Sequence, residues 1–267
     1  MDLQLEGKRA LITGSTSGIG KAVAATLAAE GALVIVNGRD TTRSEATAAA
    51  IVEAGGKAVV AVGDISHEDQ AAAILRQVES ETGGVDILVN VVGGSVNDGW
   101  SVAQPSDWAA MFNLNVVSAM RLIAALTPSM REQGWGRIVQ IGSAASSNPP
   151  PSMAGYGAAK AALVNLTVSL AKDLAGTGIT ANVVSPGPTL TEGWRDFAFS
   201  FARFQGLEGD FETIRAALLA GPLANPSNRL GEPHEVAALV ALVASPLGAS
   251  INGANLRIDG GFTPTVN

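Results

Sequence analysis

The chain predicts a doubly wound α/β fold: one parallel sheet of seven strands with helices on both faces. Three observations predict it. Short apolar runs recur at regular intervals, each is followed by a helical pattern, and the first strand-to-helix turn is a glycine-rich loop. Most of the runs are apolar without alternation, as expected for strands covered by helices on both sides.

The strands are expected at 10–13, 33–37, 58–62, 87–92, 137–141, 180–185 and 255–258. Helical patterns fall near 18–30, 41–54, 67–82, 106–132, 154–176 and 233–244. Two carry start signals: Ser106-Asp107 as cap and first-turn acid, and Pro233 at a first helical position. Only the stretch from about 192 to 228 breaks the rhythm. It is too long for a simple connection, and it gathers Trp194, Phe197, Phe199, Phe201, Phe204 and Phe211, half of the chain's aromatic residues.

Composition bounds the function. A chain of 267 residues, 47% hydrophobic and 15% charged, suits one domain with a substantial core, spanning 1–267. No uninterrupted apolar run approaches the roughly 20 residues that span a bilayer. Asp2 and Glu6 precede a glycine loop that begins at Thr13, so no signal peptide is expected and the cytoplasm is the expected location. Net charge −7 without a basic stretch argues against nucleic acid. With no cysteine and two histidines, His67 and His234, no metal site is expected.

Thr13-Gly14-Ser15-Thr16-Ser17-Gly18-Ile19-Gly20 lies between the first strand and its helix. Glycines there let the backbone approach a pyrophosphate, whose charge meets the helix N-terminus. A tight turn is the structural alternative; the strand-loop-helix setting favours a dinucleotide. Tyr156 and Lys160 stand four residues apart, thirteen residues after Ser143. That spacing puts phenol and ammonium on one helix face. A fixed cation beside a phenol stabilises its phenolate and so suits proton transfer near neutral pH.

Taken together these residues resemble the short-chain dehydrogenase/reductase family, within its 3-oxoacyl-carrier-protein-reductase-like group. The resemblance runs along nearly the whole chain: TGxxxGIG at 13–20, Asp64-Ile65, Asn90, Asn115, Ser143, Tyr156 with Lys160, Pro186-Gly187, and Asp259-Gly260-Gly261. Where the family often has NNAG, this chain has Asn90-Val91-Val92-Gly93. The resemblance implies a Rossmann fold and a carbonyl reductase or secondary-alcohol dehydrogenase. Tyr156 would be the general acid or base, and Lys160 would lower its pKa and hold the nicotinamide ribose. Ser143 would bind the carbonyl, and Asn115 would position a water linking Lys160 to solvent. Asn113 carries the same side chain as Asn115, and the family's spacing selects Asn115. The cofactor contacts implied are Gly14, Ser15, Ser17, Gly18, Ile19, Gly20, Asp64, Ile65, Asn90, Gly93, Tyr156, Lys160, Pro186, Gly187, Thr189 and Thr191.

The residues after the second strand select the cofactor. Gly38 stands where an acid would bind an NAD ribose, leaving room for a 2′-phosphate, and Arg39 follows to grip it. NADP(H) is therefore expected over NAD(H), although Asp40 would repel a phosphate. An NAD-dependent dehydrogenase of a polyol or cyclic alcohol is the second reading, and a non-catalytic dinucleotide-binding redox sensor the third. Trp194, Phe197, Phe201 and Phe204 recur at steps of three and four and are expected to share one helix face, with Phe199 elsewhere. They could be plain core; a substrate lid at about 192–228 would instead suit a hydrophobic carbonyl substrate. The family's assembly implies a homotetramer.

Overall fold

The computed structural model describes residues 1–94, 100–204 and 206–265. Seven parallel strands form one sheet: β1 (Arg9–Ile12), β2 (Leu33–Gly38), β3 (Lys57–Val62), β4 (Ile87–Asn90), β5 (Gly136–Ile141), β6 (Ile179–Pro186) and β7 (Asn255–Ile258). Their spatial order is β3-β2-β1-β4-β5-β6-β7. All seven expected strands are present, and every pairing is parallel. The chain reverses its direction of winding between β1 and β4. The crevice beyond the carboxyl ends of these two strands is where ligands bind in such sheets.

Alternate residues of the central strands feed two cores. Ile12, Val34, Val36 and Val89 pack with Val23 and Leu27 of α1 (Gly18–Ala29) and with Val236 and Val240 of α9 (Pro233–Ala244). Leu11, Ile35, Leu88 and Ile138 pack on the opposite face with Ile74 and Val78 of α3 (Glu68–Thr82) and Leu122 of α5 (Ser118–Gln133). Both sheet faces are thus dry, which explains the unbroken apolar runs. At the amino ends of the strands the Arg9 Nη2 meets Asp86 Oδ1 at 2.7 Å and tethers β1 to the entry of β4. Burial pushes the Asp86 carboxyl up, and the Arg9 hydrogen bonds and charge outweigh that and hold it below the ordinary value.

Three helical expectations are revised. The cap before α4 (Pro105–Phe112) is Gln104, with Asp107 Oδ2 accepting from its N–H at 2.8 Å; Ser106 lies inside the first turn. The helix expected over 106–132 is interrupted by a π-helical turn, Asn113–Val117, before α5. By length and mean hydropathy of 1.5 the whole stretch Pro105–Gln133 could cross a bilayer. In the fold it buries Met111, Val116, Leu122, Ile123 and Met130 against the protein, as a core helix does. The stretch that breaks the rhythm, where one aromatic-faced helix is expected, holds two helices, α7 (Glu192–Phe204) and α8 (Phe211–Ala220).

Candidate active site

The glycine loop leaves β1 at the winding reversal. Gly14 and Gly18 have φ of +63° and +51°, a region that costs any other residue strain. A Cβ on Gly20 would lie 2.3 Å from the Gly14 carbonyl oxygen, so only glycine lets α1 close on the loop. Thr13 Oγ1 accepts from Val91 N (2.9 Å) and Val92 N (3.1 Å), fastening the loop to the end of β4. Ser15 is fully buried. Its hydroxyl donates to Ile12 O at 2.8 Å and accepts from Asn37 N at 2.9 Å, so this side chain builds the loop from inside. Ser17 is the cap residue of α1, and Ile19 is half-buried against the core.

Gly38 has a different reason from the one its sequence position suggests. A Cβ there would lie 2.5 Å from Thr16 Cγ2 and 3.1 Å from Ser44 Oγ, so packing rather than an open phosphate space excludes a side chain. Arg39 is 81% exposed, and its Nη1 stands 3.8 Å from Asp64 Oδ2. Asp40 turns away to cap α2 (Thr41–Glu53), accepting from Arg43 N at 2.9 Å. Asp64 Oδ1 accepts from Ser66 N at 2.8 Å and Ser66 Oγ at 2.6 Å. Burial raises the Asp64 carboxyl, and the Ser66 hydrogen bonds with the Arg39 and His67 charges bring it below the ordinary value.

Beyond β4 and β5 the proton-handling residues converge. Ser143 follows β5, and its Oγ accepts from Ala145 N at 3.1 Å and is hydrogen-bonded to Tyr156. Tyr156 lies in the first turn of α6 (Ala154–Asp173). Lys160, one turn on, is 3% exposed and donates to the Ile141 carbonyl at 2.8 Å. Its ammonium is 5.7 Å from the Tyr156 ring centre. A Cβ on Gly93 would lie 2.6 Å from Asn115 Oδ1 and 2.9 Å from Lys160 Nζ, so the glycine is what lets Asn115 and Lys160 share one wall.

The pKa pattern differs from the sequence expectation. Burial pushes the Tyr156 phenol up, with only the Ser143 hydrogen bond pulling it back. Burial also pushes Lys160 down to about 8. Its ammonium is turned to the Ile141 carbonyl and leaves the phenol protonated at neutral pH. In this state Tyr156 is equipped to give a proton.

Asn115 and Asn113 separate cleanly. Asn115 sits in the π-turn, is 1% exposed, and donates from Nδ2 to Met111 O (3.0 Å) and Gly94 O (3.1 Å) while Oδ1 accepts from Gly94 N (3.2 Å). Such turns often mark functional positions. Asn113 faces the other way, toward Ser66. Among the described residues neither side-chain atom of buried Asn90 finds a hydrogen-bond partner, and the same holds for Oε1 of Gln140, its register partner on β5.

The segment after β6 crosses in front of the loop. Pro186 ends the strand, and a Cβ on Gly187 would lie 2.8 Å from the Asp259 Cα. Thr189 is buried and donates to the Gly187 carbonyl at 2.9 Å. Thr191 Oγ1 accepts from Trp194 N at 3.0 Å, and its methyl would lie 3.1 Å from a Gly18 Cβ. The structure therefore brings the four residues expected to be catalytic, Asn115, Ser143, Tyr156 and Lys160, to one end of the sheet, with the glycine loop beside them. Ser15 and Thr189 lie inward, behind that surface. Ile65 is buried under Asp64.

The aromatic segment divides. Trp194 and Phe201 join Ala198, Ala202, Ile214 and Leu218 in a small core between α7 and α8. Phe197 is 43% exposed and stacks on Phe201, with ring centres 5.8 Å apart. Trp194, Phe197 and Phe201 thus share one face as the spacing predicts, with Phe197 at its exposed edge. Phe199 is exposed as expected, yet it also meets Phe211 at 6.1 Å between ring centres. The side chain of Phe204 lies outside the described residues.

A family model described as short chain dehydrogenase matches residues 8–198. The chain belongs to the short-chain dehydrogenases. It is therefore an oxidoreductase with the Rossmann fold of that family. The uncharacterized oxidoreductase YvrD of Bacillus subtilis is 38% identical over 262 residues, covering 98% of each chain. The 3-oxoacyl-[acyl-carrier-protein] reductase of Vibrio cholerae is 34% identical over 260 residues, 97% of this chain and 99% of the relative. Among solved structures, the L-sorbose reductase of Gluconobacter frateurii, complexed with NADPH and L-sorbose, superposes with a TM-score of 0.93 at 31% identity, covering 100% of each chain.

Proposed function

We propose that this short-chain dehydrogenase is an NADP(H)-dependent carbonyl reductase that also runs in reverse on secondary alcohols, with Tyr156 as general acid. The observation that carries the reading is the buried Tyr156 phenol, held protonated and bonded to Ser143 beside the Lys160 ammonium. The glycine loop at the N-terminus of α1 fits a pyrophosphate, and Asn90 has a buried amide with no hydrogen-bond partner among the described residues, a group that a ligand could complete. A bound nicotinamide would supply the hydride; the chain supplies the proton. Tyr156 gives its proton to the substrate oxygen as negative charge develops there, and the Ser143 hydroxyl donates to the same oxygen. Lys160, charged below about pH 8, stabilises the phenolate left behind.

NADP(H) over NAD(H) rests on the exposed Arg39 guanidinium, which directly follows β2 and has the Asp64 carboxylate at 3.8 Å as its ionic neighbour. The NADPH-bound L-sorbose reductase is consistent with it. For substrate we infer a hydrophobic carbonyl compound, because Phe197 and Phe201 stack at the surface of a segment that follows the Thr191 crossing and would act as the lid. Likeness to the 3-oxoacyl reductase of V. cholerae favours the same class. The L-sorbose complex of the structural relative favours a hydrophilic ketose as the second reading. A redox sensor without turnover has no use for the Ser143–Tyr156 hydrogen bond.

We also place the protein in the cytoplasm, as a homotetramer. Val117 of the π-turn and Leu166 and Val168 of α6 stand exposed, apolar side chains that a second copy would cover. The deciding experiment measures kcat/KM with NADPH and with NADH across β-ketoacyl thioesters, aryl ketones and ketoses. The proposal expects NADPH with a hydrophobic carbonyl to rank first. NADH with a ketose or polyol in first place would contradict it, and no turnover with any pair would favour the sensor.

A further inference from the structure

We propose that Asn113 and Arg121 are positioning residues that couple the adenosine end of the cofactor groove to Asn115 at the catalytic end. The proposal rests on the nicotinamide-dinucleotide reading above.

The coupling is visible as a continuous set of contacts. Arg39, at the outer end, faces Asp64 at 3.8 Å, and Asp64 fixes Ser66 through both its backbone N–H and its hydroxyl. The Ser66 carbonyl then accepts from Asn113 Nδ2 at 3.1 Å and from Arg121 Nη1 at 3.1 Å. Arg121 Nη2 closes the triangle on Asn113 Oδ1 at 2.9 Å. The contacts among Ser66, Asn113 and Arg121 are part-buried, and they join distant stretches of chain: 47 residues separate Asn113 from Ser66, and 55 separate Arg121 from it.

Asn113 is the first residue of the π-turn, and Asn115 lies two residues on. The turn is a departure from α-helical geometry, so its exact winding needs an outside constraint. The clamp on Ser66 supplies one. A planar fork holds a carbonyl and an amide oxygen in one fixed geometry, whereas a lysine ammonium meets its acceptors as a freely rotating point charge. A ligand group that engages the Arg39–Asp64 pair would order the loop 64–67 and draw the Ser66 carbonyl to one position. The π-turn, and with it the Asn115 amide on Gly94, would follow. Binding of the non-reacting half of a cofactor would then prepare the reacting half.

Hydrogen exchange read by mass spectrometry tests this on the full-length protein. The probes are adenosine 2′,5′-bisphosphate and 5′-AMP, which fill only the adenosine end; the variants are Arg121→Met and Asn113→Ala, with Arg121→Lys as the conservative control. In wild type either probe that binds slows exchange in 38–44 and 64–70, and also in 111–118, by about threefold or more. In Arg121→Met and Asn113→Ala the slowing is kept in the first two segments and lost in 111–118, with probe affinity within about threefold of wild type. Arg121→Lys restores little of it. Slowing in 111–118 that persists in both variants, or that is missing from wild type with a probe bound, overturns the coupling. If wild type binds neither probe nor NADPH, the cofactor reading itself fails and the coupling with it. If 5′-AMP binds and the bisphosphate does not, only the preference for NADP(H) fails, and the coupling is judged on 5′-AMP.

Discussion

Lys160 Nζ donates to the Ile141 carbonyl oxygen at 2.8 Å from a position 3% exposed to solvent. Ile141 ends β5 and Lys160 lies inside α6, so this bond ties the sheet to the catalytic helix. Among the described residues it is the one hydrogen bond of a buried charge, and a buried ammonium so sparsely paired destabilises the free protein.

That cost has a sign and a window. The folded pKa, about 8, lies below the ordinary 10.5, so the unfolded chain binds more protons between these values. This group's contribution to stability therefore rises as pH climbs from about 8 to 10.5 and is at its most unfavourable below about 8. The full penalty is roughly 3 kcal/mol, partly offset by the roughly 1 kcal/mol hydrogen bond to Ile141. Lys160→Met is expected to abolish turnover yet raise Tm at pH 7 by about 2–5 °C. Thermal melts at pH 7 and pH 10.5 check this, because the gain should shrink at the higher pH. A lower Tm at both would show that Lys160 stabilises the fold.

Arg39 is expected to read the 2′-phosphate. Arg39→Ala should lower kcat/KM for NADPH about ten- to a hundredfold, the value of a charge-assisted hydrogen bond of roughly 1.5–3 kcal/mol. NADH use should change little. Equal losses with both cofactors would assign Arg39 to Asp64 alone.

The buried part and the exposed edge of the aromatic face of α7 should respond differently. Trp194, packed edge-on to Phe211 beside Ala198 and Leu218, should cost about 2–4 kcal/mol on change to alanine. Phe197→Ala should leave Tm within about 2 °C, since its ring is largely outside. It should raise KM for the best hydrophobic substrate several-fold. Denaturant unfolding and steady-state kinetics on both variants separate the roles, and an unchanged KM in Phe197→Ala would remove that ring from the substrate site.

Much of this was legible in the sequence, and the reasons for the rest are local. All seven strands could be located because both faces of the sheet are covered, which leaves an uninterrupted apolar signal. The Tyr156–Lys160 pair was legible because a helix converts a spacing of four into adjacency. The π-turn was not, since neither glycine nor proline marks 113–117 and the extra residue is held by contacts from Ser66 and Gly94. Nor was the division of α7, because Ala198 and Ala202 form its buried seam and small residues weigh little beside phenylalanines in a pattern. Gly38 was read as space for a ligand when its neighbour is the Thr16 methyl, a contact across two strands. The direction of the Tyr156 pKa depends on how deeply the phenol sits and where the Lys160 ammonium turns, and neither is written in a spacing.

The account stands on Tyr156 as the proton donor, and single-turnover reduction by Tyr156→Phe tests this most directly. The ring and its packing are kept; only the hydroxyl is lost. With saturating NADPH and the best carbonyl substrate, the oxidation rate of bound cofactor should fall by about 10²-fold or more. The Kd for NADPH, measured by fluorescence on the same protein, should stay within about threefold of wild type. A Tyr156→Phe enzyme that turns over at close to the wild-type rate would contradict the mechanism.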